Sequence, residues 1–260
     1  MTIISPQTDE GRRSLPRSRL DPSQAVLGLL TRLGRLQYEG VEQIPTQGPA
    51  LLVANHRSPM DFFYAQALME RAGRHTYRCI IAAELLHRQA FLPYTRDALR
   101  DKVPYIGPYL GWLALFLSHV VPPIFQSLNP IPVYRTGDDA ESRRLSLESL
   151  LNGELLILAP GRSRERNAKG LRSFTHGAAA IARRYFEAAG EGLAIVPVGV
   201  NRLAGVLPGA LLRVGPPYRG MSDLHYPELF SEPGRSQSQV KHQAYTHFTR
   251  ELEQRVMDLL

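Results

Sequence analysis

Apolar positions along the chain fall into two periods. Runs of strand length, "ALLVAN" (50–55), "RCIIAA" (78–83), "IPVYR" (131–135), "ELLILA" (154–159), "LAIVPVGV" (193–200) and "LLRVG" (211–215), alternate with stretches of helical spacing. The helical stretches are "DFFYAQALMERAG" (61–73), "DDAESRRLSLESLLN" (138–152), "THGAAAIARRYFEAAG" (175–190) and a long final helix of mixed charge from roughly Ser238 to Leu260. Strands with little polar face, set between helices, need cover on both sides of their sheet. The pattern predicts one α/β domain with a mixed, largely parallel central sheet flanked by helices. In such domains the chemistry sits in the loops leaving the strand ends.

Two further apolar segments suit a bilayer surface. In "AVLGLLTRLGRLQY" (25–38), Val26, Leu29, Leu30, Leu33 and Leu36 recur at helical spacing, with Arg32 and Arg35 away from most of that stripe. The spacing predicts a helix, either interfacial, with its arginines among headgroups, or an ordinary helix of the domain. The second segment is unusual in charge: after Lys102 no Asp, Glu, Lys or Arg occurs until Arg135. Within "VPYIGPYLGWLALFLSHVVPPIF", Pro108 and the pair Pro122-Pro123 are expected to confine the uninterrupted helix to the residues between them, about 20 Å at 1.5 Å per residue. That is too short for a hydrocarbon core of roughly 30 Å. A hydrophobic lid, a shallow membrane dip, a tunnel wall and a buried core helix all fit; Trp112 with Tyr105 and Tyr109 favours an apolar interface.

Composition narrows the partners. The chain has 260 residues, a net charge of +7 and a pI near 9.7, and its only lysines are Lys102, Lys169 and Lys241. Arginine therefore carries the charge, and guanidinium forks suit phosphates and carboxylates. "GRSRER" lacks interleaved aromatics and no nucleic-acid recognition motif accompanies it, so no nucleic-acid partner is expected. Cys79 is the single cysteine, in a predicted buried strand, which excludes a disulfide framework or cysteine-rich metal site and fits a cytoplasmic setting. Residues 1–23 lack the apolar core of a signal peptide and read as a flexible tail, leaving 24–260 as the domain, with an apolar insertion at about 103–128.

Candidate chemistry lies in "NHRSPMD" (55–61), between the strand "ALLVAN" and the next helix. Ser58 suits an N-cap, Pro59 the first helical position and Asp61 the third, so helix capping explains three of these residues. It does not explain His56. A histidine at a strand mouth can have one ring nitrogen fixed by a carboxylate while the other meets a substrate hydroxyl. There is no GxSxG nucleophile and no HExxH, so neither a serine hydrolase nor a zinc hydrolase of that kind is indicated.

Taken with the other loops, "NHRSPMD" resembles the NHxSxxD form of the H-x4-D motif of the glycerolipid acyltransferases, the 1-acylglycerol-3-phosphate acyltransferase family. "PIPVYR", ending at Arg135, resembles that family's second motif. "GRSR" (161–164) resembles the tail of the third, EGTRSR, and "AIVPVGV", with Pro197, resembles the fourth. "AELL" and "SFTHGAAAIA" also resemble intervening stretches, and the likeness runs in order from about Gln37 to Tyr218. It implies a glycerol-3-phosphate acyltransferase-like fold and transfer of a fatty acyl group from acyl-CoA or acyl carrier protein to a lipid hydroxyl, without covalent acyl-enzyme, cofactor or metal. His56 would be the general base and Asp61 its orienting acid. Asn55 would hold the loop and border the substrate; Arg135, Arg162 and Ser163 would bind the anionic headgroup of a lysolipid, lysophosphatidic acid first. The protein would sit peripherally on the anionic inner face of the membrane, with acyl carrier protein as a further partner.

The chain departs from the family pattern in three places. Ala159 and Pro160 stand where the third motif carries Glu and Gly, Asn129 and Pro130 where a glycine commonly precedes the second, and the interval from Asp61 to Arg135 is longer than usual. Altered acceptor specificity is one reading; a non-catalytic membrane-binding or lipid-carrying relative is the other.

Overall fold

The computed structural model describes residues 28, 35–56, 61–102, 111–134, 139–166, 172–203, 209–230 and 237–260, with backbone only at 98–102, 162–166, 172 and 237. The expected tail, 1–23, and most of the expected helix over 25–38 lie outside these residues.

The strands are β1 (Arg35–Glu39), β2 (Ala50–Ala54), β3 (Tyr77–Ala82), β4 (Ile131–Val133), β5 (Leu155–Leu158), β6 (Gly161–Arg166), β7 (Arg172–Phe174), β8 (Leu193–Arg202), β9 (Gly209–Val214) and β10 (Tyr218–Gly220). The helices are α1 (Asp61–Arg71), α2 (Arg88–Lys102), α3 (Gly111–Gln126), α4 (Ala140–Leu151), α5 (Gly177–Ala189) and α6 (Gln237–Asp258). The main sheet has the order β1-β9-β8-β2-β5-β3-β4, with β10 also on β8. All its pairings are parallel except β8 with β9 and β8 with β10. The expected α/β class and mixed, largely parallel sheet are borne out.

Alternation along each strand divides the core between the two faces. Ala50, Leu52 and Ala54 of β2 join Cys79, Ile81, Val196, Val198 and Val200 against Phe62, Phe63, Leu68 and Met69 of α1 and Phe125 of α3. Leu51, Val53, Ile80, Leu156, Leu193 and Ile195 face Ala178, Ala179 and Ala182 of α5 and Phe248, Leu252 and Val256 of α6. This two-sided cover is why the central strands read as unbroken apolar runs.

Three departures from local rules are met by tertiary contacts. Pro197 lies inside central β8, at the step where its neighbour changes from β10, opposite Ile195, to β9, opposite Val198, so no ladder bond needs its missing N–H. At Gly199, a Cβ would stand 2.7 Å from the Cβ and carbonyl oxygen of Leu259, so the end of α6 rests directly on this strand. Arg74, after α1, is fully buried; its guanidinium donates to the carbonyls of Thr76 (3.1 Å), Gly48 (2.7 Å), Gly153 (2.8 Å) and Pro45 (3.4 Å). One side chain thus joins the approaches to β2, β3 and β5.

Two expectations need correction. Arg35 and Leu36 belong to strand β1, paired parallel with β9, and not to an amphipathic helix; the exposed–half-buried alternation of "RLQYE" is a period of two. Helix α3 also runs through Pro122 and Pro123 to Gln126. Proline there removes the bonds to the Ser118 and His119 carbonyls, but the last turn is fastened from outside. Phe125 packs on Phe62 and Phe63, and Gln126 Nε2 donates to the Leu86 carbonyl at 2.6 Å. Packing overrides propensity. Among the described residues no helix is long and apolar enough to cross a membrane.

Candidate active site

Every residue of β2 is buried, and its polar successors emerge at the carboxyl end of the strand. Asn55, 1% exposed, extends the ladder with its side chain: Nδ2 donates to the Val200 carbonyl at 3.0 Å, and Oδ1 accepts from the Val200 N–H at 2.6 Å. The amide behaves as one more peptide unit between β2 and β8. This clamp fixes the direction in which the next residue leaves the sheet.

That residue is His56, and the helix entering the site begins with Asp61. His56 Nδ1 stands 3.3 Å from Asp61 Oδ2; the histidine side chain is 26% exposed and the aspartate 5%. The pair is within ionic reach but does not meet the angular requirement of a hydrogen bond, the loose geometry common in a ligand-free site that tightens around a substrate. With Nδ1 turned to the carboxylate, Nε2 is the nitrogen available for exchange with a ligand. The position of Asp61 at the start of α1 is also favourable for the helix dipole, so one carboxylate serves the helix and the imidazole together. Ser58 and Pro59, expected to cap this helix, lie outside the described residues.

The wall behind His56 is aromatic. The Phe62 ring is 5.7 Å from the imidazole, Phe125 of α3 meets Phe62 edge-on at 6.0 Å, and Phe63 lies 5.7 Å from Phe125. Sequence reasoning missed this support, although "DFF" immediately after the strand-mouth motif was its signal. It also missed exposed Arg202 at the carboxyl end of β8. Burial, followed by the Asp61 carboxylate, pushes the Tyr64 phenol above its ordinary value, and Arg202 opposes that rise.

The parallel arrangement of β2, β5, β3 and β4 puts their carboxyl ends on one edge. Val53 is level with Leu158, so Ala159 and Pro160 leave β5 beside the exit of Asn55 and His56. Arg162 and Ser163 follow in β6, which pairs with β7 as a separate hairpin; their side chains are outside the description. Arg135 lies just past β4 and also outside the described residues. Asn129, where the family pattern carries a glycine, has φ 49, a left-handed conformation that Asn tolerates better than most residues. Its carbonyl accepts from Arg78 Nε at 3.2 Å, so this departure preserves a turn. Among the described residues no group of His, Cys, Asp or Glu could hold a metal ion.

Residues 35–106 match the family model described as Acyltransferase. The matched stretch holds His56 and Asp61, and its likeness is to the same family that the motifs resemble. Among solved structures, the chain is similar to the crystal structure of the 1-acyl-sn-glycerophosphate (LPA) acyltransferase PlsC from Thermotoga maritima, at 20% identity over 92% of this chain and 84% of that one, with a TM-score of 0.43. No curated protein gives a significant match.

Proposed function

We propose that the protein transfers a fatty acyl group from an acyl thioester, acyl-CoA or acyl carrier protein, to the hydroxyl of a lysophospholipid, with lysophosphatidic acid the first candidate. The observation carrying this reading is the His56–Asp61 pair, 3.3 Å apart at the mouth of β2 within the family-matching segment.

In the reaction, His56 Nε2 takes the proton of the acceptor hydroxyl as its oxygen attacks the thioester carbonyl. The tetrahedral intermediate collapses, the carbon–sulfur bond breaks, and the departing thiolate takes the proton back from the imidazolium. Asp61 stabilises that transient cation and holds the ring in one tautomer. Asn55 acts through the strand, as a brace that aims His56. Arg135, Arg162 and Ser163 are assigned to the acceptor's anionic headgroup, a task suited to guanidinium forks and a hydroxyl. Ala159, in place of an acid, leaves that pocket more cationic and short of one hydrogen-bond acceptor, so it discriminates less and the acceptor class extends to related lipids.

The test is acyl transfer by the purified full chain, with product identified by mass spectrometry. His56→Ala is expected to lower turnover by about 10²–10⁴ with an unchanged melting temperature. Asp61→Asn should also slow turnover, with some loss of stability from the helix start. Near-normal transfer by His56→Ala would remove the assignment. Bound lipid recovered from a protein without turnover would instead favour a lipid carrier.

A further inference from the structure

Helix α3 carries Trp112 and Phe116 on the outside. Trp112 is 68% exposed and Phe116 59%, and Leu115 and Val120 continue the same stripe at helical spacing. The buried side holds Ala114, Ser118 and Pro122, together with Phe125. The Ser118 hydroxyl is satisfied within the helix by the Leu115 carbonyl at 2.7 Å. A helix selected only to pack on this sheet would be expected to place these two sets the other way round.

We propose that the outer face of α3 docks on an anionic lipid bilayer, with Trp112 and Phe116 entering the acyl-chain region and the basic residues of α2 meeting the headgroups. Charge favours this occupant over a protein. No Asp, Glu, Lys or Arg occurs from 103 to 134, and the one titratable side chain of α3 is exposed His119, whose Nδ1 is already engaged with the Leu115 carbonyl at 2.8 Å, so α3 offers little ionic chemistry with which to select a protein partner. Among the described side chains of the adjoining α2, exposed Arg88 and Arg96 stand against Asp97, an excess of positive charge suited to anionic headgroups. The 16 residues of α3 reach about 24 Å, which suits lying in the interface and not crossing it.

Position gives the docking a purpose. The inner side of α3 reaches the site through Phe125, which meets Phe62, which meets His56. A bilayer under α3 would therefore lie next to the wall of the catalytic pair. In this respect the proposal rests on the acyl-transfer reading and names the source of its acceptor; the docking itself does not depend on turnover.

Trp112 is the chain's single tryptophan and reports directly on this face. The full chain is mixed with phosphatidylcholine vesicles, with and without phosphatidylglycerol, and with brominated lipid as a quencher. The expected result is a blue shift and bromine quenching that strengthen with phosphatidylglycerol and weaken with salt. Phe116→Asp, with an unchanged melting temperature, should weaken partition by roughly tenfold or more. The proposal is overturned if Trp112 emission ignores vesicles or if Phe116→Asp and Leu115→Asp bind normally. It is equally overturned if the lipid-free emission is already blue and depends on protein concentration, the behaviour of a face covered by a second copy. Docking by a His56→Ala variant that lacks turnover keeps the surface assignment. Turnover of a dispersed short-chain acceptor without any docking sinks the surface and leaves the catalytic reading standing.

Discussion

Replacing Asn55 with alanine separates a brace from a substrate contact. The change deletes two hydrogen bonds, at 3.0 and 2.6 Å, and leaves the Val200 N–H and carbonyl without partners in a strand where Val200 is 2% exposed. Each orphaned buried group costs about 1–3 kcal/mol, so the loss should total about 2–6 kcal/mol. For a chain of this size, at about 2 °C per kcal/mol, that lowers the melting temperature by about 4–12 °C. Asn55→Asp should do no better, because it keeps an acceptor for the Val200 N–H but sets a carboxylate oxygen against the Val200 carbonyl. The assay pairs a circular-dichroism melt with steady-state acyl transfer. For a brace, stability and kcat fall together because His56 loses its aim, whereas the acceptor KM changes less. An unchanged melting temperature with a raised acceptor KM would refute the reasoning and return Asn55 to the substrate.

Two other perturbations test the scaffold. Arg74→Met should cost about 3–5 kcal/mol in urea denaturation, since it strips four carbonyls at the approaches to β2, β3 and β5 of a charged donor; an unshifted midpoint would show that the guanidinium holds nothing. Burial, followed by Glu251 and Glu228, pushes Tyr226 up to about 12, above its ordinary value of 10.0. Its raised folded value means that the folded state holds the proton more tightly. The associated stability is complete below about pH 10 and is lost as pH rises towards 12. Tyr226→Phe should therefore flatten the alkaline fall in melting temperature, and an equally steep fall would exclude Tyr226 as its source.

Elements with strong apolar runs were legible in the chain. β2, β3, β5 and β8 announce themselves because both their faces are covered, and α1, α4, α5 and α6 because each turns one stripe to the sheet. Other elements take their stability from distant partners. β6 is built from "GRSRER", which reads as a solvated charge run, and it becomes a strand only against β7. Helix α2 contains Pro93, and α3 passes two prolines because Phe125 and Gln126 are held by α1 and by Leu86. At the site, the motif spacing identified His56 and Asp61 as a pair, and the structure sets them 3.3 Å apart. The aromatic support from Phe125 was not legible, because 62 intervening positions carry no signal that the two rings meet.

The order of the strands separates the chemical unit from the folding unit. Residues 35–106 contain β1, β2 and β3, and none of these pairs with another: β1 lies on β9, β2 between β5 and β8, and β3 between β4 and β5. A fragment cut at those limits would carry the histidine, the aspartate and three strands, yet lack every ladder described here. The strand edge that carries His56 is thus assembled by sequence arriving later from the ribosome, and β5 must enter between β2 and β3 before that edge exists. Nascent chains released before residue 158 should expose β2 and β3 as unpaired apolar strands, the state most open to aggregation and chaperone capture.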